Sequence, residues 1–252
     1  MPAQTVIRID PATGASEVRS FDTVVACLAS SDGGLVAGTG EGFAFLPDEG
    51  GYRLLDEKFQ GRDHRMNDAT TDAKGRFIAG SMSTPPDAEN PDGELWCLGR
   101  KEGMIDELLV PNGLAISPDQ STLYISDSHP SVQTVWRCSY DVESGAIGPR
   151  EAWIDFHDLP GRPDGATMDI DGGYWIASID GGRVCRFLPD GTLDAVVEVP
   201  AAKTTKPVFG GNDRKTMFIT TANVDGIGGE LYAVDLPWSG VETFSVRLDQ
   251  RR

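Results

Sequence analysis

Five residues sit at one register of this chain: Val25, Asn67, Asn112, Asp164 and Lys206. They are 42, 45, 52 and 42 residues apart, and the sixth to eighth positions after each form a polar turn, such as Ala73-Lys74-Gly75 or Ile170-Asp171-Gly172, ahead of an apolar strand. A carboxylate and two carboxamides at equivalent positions offer the oxygen donors that hard divalent cations such as calcium and magnesium prefer. A cation held there polarises a carbonyl and lowers the pKa of a bound water. A lone Asn-Gly or Asp-Gly is an ordinary turn. Recurrence in phase favours a shared site, because turn chemistry alone does not require these side chains at one ring position. Arg65 and Arg162 lie two residues before Asn67 and Asp164, within reach of the same place. Their guanidinium groups suit a carboxylate or a sugar hydroxyl, although a surface ion pair is the simpler expectation for Arg162.

The spacing of these residues is that of four-stranded propeller blades, whose first strands meet around one axis. In the third repeat, the apolar run Leu114 to Ser117, the turn Pro118-Asp119-Gln120-Ser121 and the return run Thr122 to Asp127 read as a hairpin. The fourth repeat has the same plan, and a second pair of strands follows it, from Gly182 to Phe187 and from Leu193 to Val199. The first twenty residues match only the outer half of such a blade. The predicted fold is therefore all-β: one domain over residues 1–252, a six-bladed β-propeller whose first blade is incomplete, with five inner hairpins and an orphan outer strand pair. The next phase point upstream of Val25 falls before Met1. An uncovered blade face invites self-association, so an oligomer through the incomplete blade is expected. Alternation places the five ring residues, Ser81 to Ser83 with the loop from Thr84 to Gly93, Asp127 to Pro130, and Ser178 to Asp180 at one mouth.

With 39 acidic and 22 basic residues the net charge is -17, which disfavours phosphate backbones and anionic lipid surfaces. No nucleic-acid or membrane partner is expected, and no apolar run is long enough to cross a bilayer. Of the four cysteines, Cys27, Cys97, Cys138 and Cys185, the last three fall at matching strand positions and read as small core residues. Free cysteines and a start without signal-peptide character point to the cytoplasm. Trp96, Trp136 and Trp175 are expected between blades. No histidine spacing suggests a metal cluster, and no nucleophile elbow is present.

These residues resemble the SMP-30, gluconolactonase and regucalcin-like family of six-bladed propellers. The matching segments are Arg65-Met66-Asn67-Asp68, Asp72 to Met82, Pro111 to Ser117, Pro163-Asp164-Gly165 and Phe209-Gly210-Gly211, within a match that runs to about Leu236. The resemblance implies a lactonase that opens sugar lactones to aldonic acids with one divalent cation: calcium, zinc, magnesium or manganese. It implies that Asn112 and Asp164 are metal ligands, that Arg65 and Asn67 bind substrate, and that Asp164 is the catalytic general base. The family's further ligand, a first-blade glutamate, has no counterpart here, so activity is expected to be impaired. Ser83-Thr84-Pro85 stands where some members carry an acidic substrate contact. Lys206 is positioned to neutralise Asp164 in competition with a cation. Alternatives are a non-catalytic calcium-binding regulator and an NHL-like binding propeller; the absence of Trp-Asp dipeptides argues against the WD type.

Overall fold

The computed structural model of the chain describes residues 3–248, and all of its regular elements are β-strands. β1 (Ala3–Ile9), β2 (Ser16–Ser31), β3 (Gly34–Thr39), β4 (Gly42–Pro47) and β5 (Arg53–Glu57) form the first sheet. The second contains β6 (His64–Thr71), β7 (Phe77–Ser83), β8 (Gly93–Cys97) and β9 (Ile105–Leu108), paired in that order. The third is built from β10 (Pro111–Ile116), β11 (Thr122–Asp127), β12 (Thr134–Asp141), β13 (Ala146–Ile147) and β14 (Glu151–Asp155). β15 (Arg162–Met168), β16 (Tyr174–Ile179), β17 (Arg183–Phe187) and β18 (Leu193–Glu198) make the fourth, and β19 (Thr204–Gly210), β20 (Thr216–Thr221) and β21 (Leu231–Asp235) the fifth.

The ring residues lie in the first strands of the five hairpins, β2/β3, β6/β7, β10/β11, β15/β16 and β19/β20. The blade count differs from the sequence expectation: the described residues form five sheets, not six. Residues Ala3 to Phe21 do not stand apart as an orphan outer pair. β2 runs without a break from Ser16 to Ser31, pairing with β1 along its first part and with β3 along its second, and Ala3 itself lies opposite Val25. The sequence from Ser16 to Ser31 has neither glycine nor proline to end the strand, so both pairings fall in one sheet.

Neighbouring sheets are joined by apolar layers in chain order. Phe43, Met66 and Phe77 pack between the first and second, Leu95, Leu114 and Ile125 between the second and third. Tyr124, Phe156 and Tyr174 fill the next interface, and Trp175, Phe209 and Met217 the last. Trp96 and Trp175 are buried in these layers and Trp136 is partly buried against one, as expected. Cys97, Cys138 and Cys185 are buried on third strands, opposite Ile78, Leu123 and Ile176.

A buried carboxylate fixes the hairpin turn in two of the repeats. Asp169 accepts from the Asp171 and Gly173 amides, from Trp175 Nε1 at 2.8 Å and from Arg186 Nε at 2.7 Å. Asp72 accepts from the Lys74 and Arg76 amides, from Arg76 Nε at 2.7 Å and from the Tyr140 hydroxyl at 2.6 Å. Each lies five residues after its ring residue, Asp164 or Asn67. Beyond Leu236 the chain crosses the turn face as a strap: the Ser239 carbonyl accepts from Ile170, Val241 donates to Met168, Val246 to Ser30 and Arg247 to Gly75. This segment ties the turns of the fourth, first and second sheets together, and its Trp238 ring receives the Arg186 guanidinium at 4.8 Å.

Asp169 is one of two carboxylates paired with Arg186, whose side chain is only 4% exposed, and Asp194 is the other. Asp169→Ala is expected to destabilise the fold by about 3 kcal/mol in a denaturant titration, because Arg186 loses its fully buried partner and the Asp171 and Gly173 amides and Trp175 Nε1 lose their acceptor. A loss below about 1 kcal/mol, the size of an exposed pair, would show that the carboxylate is not the anchor of that turn.

Candidate functional site

Every innermost strand is irregular at its ring residue. The pairing slips between Val25 and Cys27, Met66 and Ala69, Asn112 and Ala115, Pro163 and Ala166, and Thr204 and Lys206. Such bulges bend a strand and re-aim its side chains. At Gly113 the backbone takes φ +63, and an added Cβ would strike Ser126 Oγ and Tyr174 Oη, so this bulge requires glycine. The Tyr174 hydroxyl, buried in the adjoining layer, donates to the Gly113 carbonyl at 2.8 Å and holds the bulge.

The ring residues open into one cleft of about 460 Å³, lined by Arg65, Asn67, Asp68, Asn112, Ser128, Arg162, Asp164 and Lys206 among others. All of the residues singled out in the sequence, Arg65, Asn67, Asn112 and Asp164, are brought together there. Arg65 Nη1 donates to Asn67 Oδ1 at 2.6 Å, and Asn67 Nδ2 donates to Asn112 Oδ1 at 3.0 Å. Asn112 Nδ2 donates in turn to Ser128 Oγ at 2.6 Å. Arg162 does form the ion pair expected of it, with Asp180 at 2.7 Å. His64 stacks on Phe59 near the mouth loop, with Nε2 3.0 Å from Asp92, and His157 pairs with Asp155 away from the cleft.

Lys206 differs from expectation. Its ammonium group contacts Asp68 Oδ1 at 2.5 Å and the Ala69 carbonyl at 3.3 Å, rather than neutralising Asp164 directly. Its methylenes lie across Gly165, where a Cβ would meet them at 2.8 to 2.9 Å. Asp68 also accepts from the Leu114 amide at 2.9 Å, so Lys206, Asp68 and β10 form a floor between the cleft and the central channel beneath it. Asp68 was not singled out in the sequence because strand alternation places it on the face opposite Asn67. The bulge between Met66 and Ala69 brings both to the cleft.

Among the described residues, no cationic side chain forms an ion pair with Asp164. Burial, reinforced by the Asp68 charge, pushes its carboxyl up to about 8, with Lys206 opposing. Burial also lowers the Arg65 pKa from its ordinary value, against the opposing effects of Cys27 and Asp164. A divalent cation fits this donor set: Asn112 and the half-buried Asp164 provide oxygen at one cleft, and no basic side chain among the described residues forms an ion pair with that carboxylate. The described residues contain no cluster of three acidic, histidine or cysteine side chains, so most of the coordination shell would be water or substrate.

A profile of the SMP-30/gluconolactonase/LRE-like region matches residues 1–223. A 6-deoxy-6-sulfogluconolactonase of Pseudomonas putida is 34% identical over 96% of this chain and 83% of its own length. A pentonolactonase of Haloferax volcanii is 33% identical over 88% of this chain and 75% of its own. The solved structure of a calcium-binding protein, regucalcin, from Agrobacterium tumefaciens superposes with a TM-score of 0.90 at 25% identity, covering 97% of this chain and 87% of the other.

The raised Asp164 pKa has a consequence for stability. A carboxyl whose pKa rises from 3.8 to about 8 on folding lends stability that is complete below the unfolded value and is lost as pH rises through about 8. In chelator-treated protein, Asp164→Asn is expected to flatten the decline in Tm across that window. An unchanged decline would assign it to other groups.

Proposed function

The chain belongs to the SMP-30/gluconolactonase/LRE-like family, and on that premise we propose that it hydrolyses sugar lactones to aldonic acids with the help of one divalent cation. The observation that carries this reading is the convergence of Arg65, Asn67, Asn112 and Asp164 on one cleft in which the only ring carboxylate has no cation in contact. Lactonase activity of the similar proteins from Pseudomonas putida and Haloferax volcanii supports the substrate class.

In the proposed mechanism Asn112 and Asp164 would hold the cation, which would supply polarisation of the lactone carbonyl and acidification of water. Arg65 and Asn67 orient the lactone through its oxygens. Their positions are already set by mutual hydrogen bonds, which lowers the entropic cost of orientation. Asp164 accepts the proton of the attacking water as the general base. Its pKa is raised in the cation-free site, and a neighbouring positive charge draws that value down toward one at which the carboxylate is ionised and able to take the proton. The aldonate product is an anion, and the other acidic charges of the protein favour its departure.

The calcium-binding relative motivates a second reading, a regulator that binds a cation without turnover. Proton release from gluconolactone, followed with and without added calcium, zinc, magnesium or manganese, separates the two. Cation-dependent release is expected, and Asp164→Asn is expected to lower kcat by about 10²–10⁴-fold, the usual contribution of a general base. Intact cation binding without turnover would support the regulator and end the enzyme reading.

A further inference from the structure

A carboxamide can offer a cation its oxygen but not its nitrogen, and a 180° flip exchanges the two with almost no change of shape. The cleft therefore needs a device that decides which end of Asn112 faces outward. Ser128 supplies one. Its hydroxyl donates to the Pro163 carbonyl, which can only accept, and that bond uses its single proton. Toward Asn112 the hydroxyl can then only accept, and it does so from Nδ2 at 2.6 Å. Asn112 Oδ1 is thereby turned away from Ser128 and toward Asn67.

The other end of the chain agrees. The Arg65 guanidinium, which can only donate, engages Asn67 Oδ1, and Asn67 Nδ2 donates both to the Pro111 carbonyl at 3.0 Å and to Asn112 Oδ1. The series from Arg65 through Asn67, Asn112 and Ser128 to Pro163 thus has a donor-only start and an acceptor-only finish, so no member reverses without opposing like groups. Ser128 is itself clamped: it is 3% exposed, its amide donates to the Val110 carbonyl, and its own carbonyl accepts from Arg162 Nη1. Because Pro163 immediately precedes Asp164, the same hydroxyl also ties the third sheet to the backbone that presents the other proposed ligand.

We propose that Ser128 is a positioning residue that sets the orientation of the Asn112 carboxamide, and the spacing of Asn112 from Asp164, for cation binding. This inference rests on the cation-dependent reading of the cleft. In this role Ser128 acts through Asn112, to which it is hydrogen-bonded, rather than as a ligand itself.

Calorimetric titration of the full chain with calcium chloride, and separately with manganese chloride, tests it on wild type, Ser128→Ala, Ser128→Cys and Ser128→Thr. Ser128→Ala is expected to weaken cation affinity by about 10–100-fold, as loss of an orienting partner behind a ligand does, while the melting transition remains cooperative. Ser128→Cys fills the space with a weak donor and acceptor, so it is expected to lose affinity too, and it carries the test if the alanine variant does not fold. Ser128→Thr keeps the hydroxyl and is expected to restore affinity above that of the cysteine variant. Wild-type affinity in a folded alanine or cysteine variant overturns this inference and leaves the lactonase reading intact. A wild type that binds neither cation overturns the metal-site reading and this inference with it.

Discussion

The constraint on which the cleft depends is the irregularity of five innermost strands, each displaced from its partner at the ring residue. A regular strand would send neighbouring side chains to opposite faces. The slip in pairing allows Asn67 and Asp68 to reach one cleft, which Asn112 and Asp164 also line. Below the bulges in the second and fourth sheets, Asp72 and Asp169 hold the hairpin turns at a fixed distance along the strand. In the third sheet Tyr174 fixes the bulge at Gly113 and the Ser117 hydroxyl fixes the turn by accepting from the Ser121 and Thr122 amides, so the strand between them has little freedom of register.

Charge in the cleft is arranged by pairing rather than by simple proximity. Lys206 is the basic residue of the ring, yet its ammonium is committed to Asp68 and its stem lies flat on Gly165. Arg162 and Lys203 are both engaged by Asp180 at the rim. Asp164 makes no ion pair among the described residues, and burial, reinforced by the Asp68 charge, raises its pKa against the opposing Lys206 and Arg162. Arg65, in the same cleft, is held by Asn67 and the Met66 carbonyl rather than by a carboxylate.

On the opposite face, the strap beyond Leu236 connects turns that the sheets alone do not join. Between the first and fifth sheets lies a cleft of about 730 Å³ bordered by Ile7, Ile9, Val208, Phe218 and Leu231. Several of these are exposed large apolar residues. The family resemblance ends near Leu236, and the segment after it has no repeat pattern to announce its role, so its bridging function emerged only from its backbone hydrogen bonds.

The sequence determined the repeat, the five hairpins and the set of residues at the mouth, because strand alternation and turn chemistry are local and recur in phase. Arg65, Asn67, Asn112 and Asp164 were legible for that reason. The sheet to which β1 and the start of β2 belong, the diversion of Lys206 to Asp68, and the role of Ser128 were decided by tertiary structure. In each case the deciding contact joins residues far apart in the chain or depends on a bulge, which shifts the period of two on which reading a strand relies. Asp68 and Lys206 are 138 residues apart, and Ser128 meets Pro163 across 35, distances over which no local pattern carries information.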